Sequence, residues 1–131
     1  MRYFHVTEIL QRLYMSSNIA DQMRWHGQRK NLNDDVLAHP SDGSCWKDFD
    51  KSYPMFANDF RNVCMALSTD GFSPFGGSAK PYSIWPIVLI PYNLPMSLCM
   101  KKEFNLLTIL ISGPKSPGKC LDVFMEPLLM N

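Results

Sequence analysis

This sequence has no excess of charge. Its 131 residues carry 13 Lys and Arg against 12 Asp and Glu, a net charge of +1. The balance holds in both halves: eight basic and eight acidic side chains over residues 1–61, five and four over residues 62–131. A chain this near neutrality shows no electrostatic footprint of nucleic acid or of an anionic membrane. Long apolar runs are also missing. The most apolar stretch, Ile84 to Leu98, is broken by Pro86, Pro91 and Pro95 and falls short of the ~18 residues that a spanning helix needs. The opening Met1-Arg-Tyr-Phe-His-Val-Thr-Glu8 mixes polar and charged residues and has no signal-peptide core. The four cysteines, Cys45, Cys64, Cys99 and Cys120, lie 19, 35 and 21 apart with no CxxC pair. That spacing argues against a dense disulfide framework and a close-paired zinc site. It reads as four unpaired, mostly buried thiols in a reducing compartment. Internal repeats and low-complexity segments are absent as well.

What is present is the composition of a globular chain, 46% hydrophobic and 19% charged, long enough for one domain or part of one. The first third has helical periodicity. Phe4, Ile9, Leu10, Leu13 and Tyr14 recur at three- and four-residue spacing. Ser16-Ser17-Asn18 offers a stop and a new N-cap, and Ala20, Met23 and Trp25 continue a second short helix. Gly27 to Asp35 reads as a polar loop. Ser44 to Lys51 reads as a third helix, capped by Ser41 or Ser44 and stopped by Pro54.

The pattern changes at Arg61. Asn62 to Thr69 is a short apolar run that predicts a buried strand, ended by Asp70-Gly71 and a Gly/Pro/Ser loop over Phe72 to Pro81. Tyr82 to Ile90 predicts a second strand, in which Pro86 requires an edge or a bulge because it has no N–H for the ladder. Pro91-Tyr-Asn-Leu-Pro95 is a turn-rich connector. Leu106 to Ser112 is the clearest strand, closed by Gly113-Pro114. Ser116 and Pro117 then open a helix whose face is Leu121, Phe124, Met125, Leu128 and Leu129, interrupted or kinked at Pro127. Helices, three successive antiparallel strands and a helix make an α+β arrangement. It divides into a helical prelude over 1–61 and a strand-bearing unit over 62–131. The chain stops within the last amphipathic helix, at Pro127-Leu-Leu-Met-Asn131, which gives the expectation of a fragment.

Among the acids, Asp70 stands out. It follows a strand of apolar and small residues, and Gly71 beside it leaves room for a ligand or a second chain to approach the backbone. A hard cation such as Mg²⁺ takes carboxylates presented in this way. Asp-Gly is equally a common turn pair in which the Asp bonds its own backbone. Asp34-Asp35 reads as a solvated pair, and Asp122 and Glu126, four apart on the last helix, as a solvated face or a weaker ligand pair. His5, His26 and His39 have no metal-ligand spacing, and Trp25-His26 reads as local packing. Ser112-Gly-Pro-Lys-Ser-Pro-Gly-Lys119 lacks the spacing of a phosphate-binding loop. Lys115 and Lys119 before a helix are either phosphate contacts or parts of a plain strand–helix turn.

Five strings occur in order: Met23-Arg-Trp-His26, Ala66-Leu-Ser-Thr-Asp-Gly-Phe-Ser-Pro-Phe-Gly76, Tyr82-Ser-Ile-Trp-Pro-Ile-Val-Leu-Ile-Pro-Tyr-Asn-Leu-Pro95, Leu98-Cys-Met-Lys-Lys-Glu103 and Ser112-Gly-Pro-Lys-Ser-Pro-Gly-Lys119. Together, from about Arg2 to Leu129, the chain resembles the large transposase of CACTA (En/Spm-type) DNA transposons of plants. The resemblance implies an RNase H-like domain with a DDE/D set of acids that binds Mg²⁺ (or Mn²⁺), acts on DNA at transposon ends and works in the nucleus. It implies that Asp70 is the first catalytic acid and a metal ligand. The later acids and a cysteine–histidine cluster would lie beyond Asn131. Met96 and Cys120 stand where the family tends to have a proline and an acid. The chain is therefore expected to be inactive alone. The alternatives are a non-catalytic module that binds DNA, itself or a full-length transposase, and a genomic relic without selected function.

Overall fold

The computed structural model describes residues 1–29, 36–76 and 82–130. Asp34-Asp35 and the ends of the two polar loops fall outside them. The described residues form a mixed α+β fold with a four-stranded antiparallel sheet. In chain order the elements are β1 (Arg2–Tyr3), α1 (Val6–Met15), α2 (Ser17–Met23), α3 (Trp25–Gln28), α4 (Ser44–Ser52), α5 (Pro54–Ala57), β2 (Met65–Thr69), β3 (Ile84–Pro91), α6 (Met96–Cys99), β4 (Leu106–Ser112) and α7 (Leu121–Leu129). The spatial order of the strands is β1-β4-β3-β2. The three strands expected from the sequence thus form a meander, followed by a helix.

β1 was not expected. Arg2 and Tyr3 pair with Leu110 and Ile109 of β4, and the Phe4 amide donates to the Thr108 carbonyl at 2.7 Å. Phe4 therefore precedes α1 instead of sharing its face. Two residues carry too little pattern to announce a strand, and their partner lies about a hundred residues away. α1 is also tied to the segment that leads into β2, where Tyr14 Oη donates to the Arg61 carbonyl at 2.8 Å.

β3 is central, and its proline is accommodated as the missing N–H demands. Thr69 pairs with Ile87, and Phe72 bridges Ile84 in the same register. Asp70 therefore lies opposite Pro86, where the ladder breaks because Pro86 has no amide to donate. On the β4 side the register shifts between Ile87 and Val88. The extra residue is Thr108, which is fully buried and donates its hydroxyl to the Ile87 carbonyl at 3.0 Å. This is a bulge whose polar side chain is satisfied internally.

β2 is an edge strand, not the buried strand expected over Asn62 to Thr69. It begins only at Met65, and Met65 and Leu67 are exposed. Met65 and Leu67, two apart, share one face of the strand that nothing covers among the described residues, while Ala66 on the other face packs on the core, so an apolar run alone overstates its burial.

Three apolar clusters hold the helices to the sheet. Ile87, Ile109 and Ile111 pack with Trp85 against Leu121, Phe124, Met125 and Leu128 of α7. Leu89 and Leu106 pack against Val6, Ile9, Leu10 and Leu13 of α1. Met23, fully buried at the end of α2, joins Ile90, Leu94, Cys99 and Phe104. Full burial of a side chain of this size contributes about 1.5–3 kcal/mol, so these clusters are what positions the sheet ends. Leu129, expected on the buried face of α7, is exposed. The helix itself runs through Pro127. α4 begins after Gly43 with no side-chain cap, because the N-cap position is a glycine; Ser44 lies inside the helix and the Ser41 hydroxyl is 2.8 Å from His39 Nδ1. All four cysteines are free, but only Cys99 is buried; Cys45 and Cys120 are exposed.

Candidate functional site

Asp70 sits one residue past β2, at the end of the sheet shared by the start of β3 and the end of β4. Its side chain is exposed, and Oδ1 accepts from the Gly71 amide at 2.8 Å. The turn geometry weighed from the sequence is therefore present. The approach beside Gly71 is not open. A Cβ there would collide with the Trp85 indole, which is held by a 2.7 Å bond from its Nε1 to Ser83 Oγ. Gly71 is needed so that the Trp85 ring can lie over the backbone, and that ring takes the place reserved for a ligand or second chain.

Lys115 lies at the same end of the sheet as Asp70. Ser83 donates its amide to the Pro114 carbonyl at 3.2 Å, bringing Lys115 alongside the start of β3. Lys119 lies in the 3₁₀ turn Gly118–Cys120 that leads into α7. Both lysines are exposed. Ser116 Oγ accepts from the Gly118 amide at 3.2 Å, so the serine shapes this turn before α7 begins. Asp122 and Glu126 are exposed, as a solvated helix face would have them. Among the described residues no group of three His, Cys, Asp or Glu side chains is placed to hold a metal ion.

At the other end of the sheet lies a buried polar cluster that sequence reasoning missed. Asp42 is 4% exposed. Its Oδ2 accepts from the amides of Ala38 and His39 at 3.0 and 2.9 Å and lies 3.1 Å from Arg29 Nη1, which in turn stands over the Trp25 ring at 5.2 Å. Burial pushes the Asp42 carboxyl upward, but the two amides and the Arg29 guanidinium outweigh it and hold the group below its ordinary range. His39 is also buried. Its Nδ1 accepts from the Ser41 amide at 3.1 Å, while Nε2 lies 3.0 Å from the Leu94 carbonyl. A carbonyl can only accept, so Nε2 carries the proton and the ring is neutral. Burial pushes both His39 and His26 below the ordinary histidine value.

This cluster is joined to the strand that ends in Asp70. Asn93, fully buried, donates from Nδ2 to the Asn62 carbonyl and accepts at Oδ1 from the Cys64 amide, both at 2.8 Å. Tyr92 donates its amide to the Cys64 carbonyl at 2.8 Å. The connector Pro91 to Pro95 therefore fixes the start of β2 with Asn93 and anchors His39 with Leu94. Two of the strings singled out in the sequence, Met23 to His26 and Tyr82 to Pro95, converge here. They were the available signal, but the Asp42–Arg29 pairing leaves no spacing to read.

An antiparallel α+β unit with an exposed acid at a sheet end, and with no helix among the described residues long and apolar enough to cross a membrane, is a class shared by many proteins. The family model described as "Transposase family tnp2" matches residues 34–131, three-quarters of the chain, and the chain belongs to that transposase family. No curated protein sequence and no solved structure matched it.

Proposed function

We propose that this chain carries the first catalytic carboxylate, Asp70, of an RNase H-like DDE/D transposase of the CACTA (En/Spm) type, which cleaves and joins DNA at transposon ends in the plant nucleus. The observation that carries this reading is the position of Asp70. It follows the first strand of an antiparallel meander that leads to a helix, at the point where Pro86 releases the backbone from the ladder. Family membership supports a substrate of DNA, and the exposed Lys115 and Lys119 at the strand–helix turn are its proposed phosphate contacts.

The metal that such chemistry uses, Mg²⁺ or Mn²⁺, activates water or a 3′-hydroxyl and stabilises the phosphoryl transition state. The described residues do not fit a two-metal centre. Mg²⁺ takes a near-octahedral set of oxygens, and Asp70 offers a single carboxylate, with one oxygen already accepting from Gly71. Accordingly, the chain alone is expected not to cut DNA. In a plasmid nicking assay with Mg²⁺ or Mn²⁺, the chain and its Asp70→Ala variant should leave supercoiled DNA equally intact. Nicking that is lost in the variant would overturn the prediction of inactivity and retain Asp70 as the acid.

A second reading rests on β2. Its outer edge is unpaired among the described residues, and the strand exposes Met65 and Leu67 and has no charged residue in Met65–Thr69. Such an edge accepts another strand, so the chain would pair with itself or with a full-length transposase. Size-exclusion chromatography with light scattering tests this for self-pairing, and a strictly monomeric chain at high concentration would remove it.

A further inference from the structure

Beside Asp70 three segments run together. Phe72 and Ile84 exchange backbone bonds of 3.0 and 2.9 Å, and Ser83 donates to Pro114. Between them lies a groove of about 510 Å³ lined by Ser73, Tyr82, Ser83, Pro114, Lys115 and Ser116. Its chemistry is of two kinds. The Tyr82 ring lines the groove and meets Phe75, which stands at its margin outside the lining, edge-on at a centroid distance of 5.7 Å; Phe75 is 59% exposed. Lys115 forms no salt bridge among the described residues, and four of the six lining residues bear hydroxyls.

We infer that this groove holds an unpaired nucleotide of a DNA strand, its base stacked on the Phe75–Tyr82 pair and its phosphate on Lys115. Rings alone would suit an apolar peptide, but a cation with no ion pair among the described residues and a hydroxyl-rich wall fit a sugar–phosphate backbone. The unpaired state follows from the rings. A base within a duplex has both faces covered by its neighbours, and only one freed from the stack offers a face to an aromatic side chain. The inference rests on the DNA reading above and gives the Asp70 end of the sheet a means of holding the strand near the acid.

The test is fluorescence anisotropy in EDTA, so that metal binding at Asp70 plays no part. The probes are a labelled single-stranded oligonucleotide of about 12 nucleotides and the blunt duplex of the same sequence. The single strand should bind about tenfold more tightly than the duplex. Phe75→Ala should abolish that preference and Phe75→Tyr restore it, while Lys115→Ala should lower the salt slope for the single strand by about 0.7. Both positions are exposed, so the fold should survive either change, and circular dichroism verifies this. Equal binding of the two probes, or a preference that survives Phe75→Ala, overturns the groove while leaving the DNA reading intact. Absence of binding to either probe overturns the DNA reading itself.

Discussion

Replacing Asp42 by alanine is expected to be among the most damaging single changes in the chain, although the residue lies far from Asp70. The carboxylate is 4% exposed and accepts from the amides of Ala38 and His39, and a hydrogen bond to a charged group contributes about 1.5–3 kcal/mol. Its removal also leaves the Arg29 guanidinium, 17% exposed, without its counter-charge. Breaking a buried pair costs about 3–5 kcal/mol. Arg29 keeps some access to water, so the expected loss is about 4 kcal/mol. Unfolding entropy of ~2.1 cal/mol/K per residue over the whole chain turns this into a fall in Tm of about 15 °C. Asp42→Asn keeps an acceptor oxygen and should lose roughly half as much. The assay is urea and thermal unfolding followed by circular dichroism. Asp42 also has a pH signature. Its folded-state pKa is depressed, so its contribution is complete above the ordinary aspartate range of about 4 and disappears as pH falls through the folded value. The wild-type and Asp42→Asn curves should therefore converge in acid. A loss below about 1 kcal/mol for Asp42→Ala, or a gap that widens in acid, would refute the reasoning.

Three further outcomes follow from the same geometry. Asn93→Leu orphans the Cys64 amide and the Asn62 carbonyl, so stability should fall by about 3 kcal/mol and hydrogen exchange at Cys64 and along β2 should accelerate; unchanged protection there would contradict the anchoring role. Gly71→Ala drives a methyl into the Trp85 indole and should cost about 1–3 kcal/mol with a shift in tryptophan emission, whereas a gain in stability would show that the ring moves freely aside. His26 and His39 both have folded pKa values below their ordinary one, so between the unfolded value near 6.5 and the folded values the unfolded chain binds more protons. Stability should accordingly decline as pH falls below about 6.5, and a midpoint that is flat through this range would contradict the burial of the two rings.

Short-range pattern was enough to announce several elements. Leu106 to Ser112 was readable as a strand, and β4 has those bounds. The spacing of Ile9, Leu10 and Leu13 placed one face of α1, and those residues do pack on the sheet. The missing amide of Pro86 required an interruption in β3, and the ladder breaks opposite it. Tertiary structure decided whatever depends on a partner distant in the chain. Arg2 and Tyr3 become a strand only because Leu110 and Ile109 stand beside them. β2 is half exposed because only the face that carries Ala66 meets the core, a fact its apolar composition cannot express. Asp42 and Arg29 meet across a loop, with no periodicity to announce them, and are held together by the exclusion of water. At Asp70 the sequence located the acid and its turn, but the fold determined that Trp85 closes the space beside Gly71. Which neighbour a residue meets is a matter of long-range closure and burial, and local propensity holds no record of either.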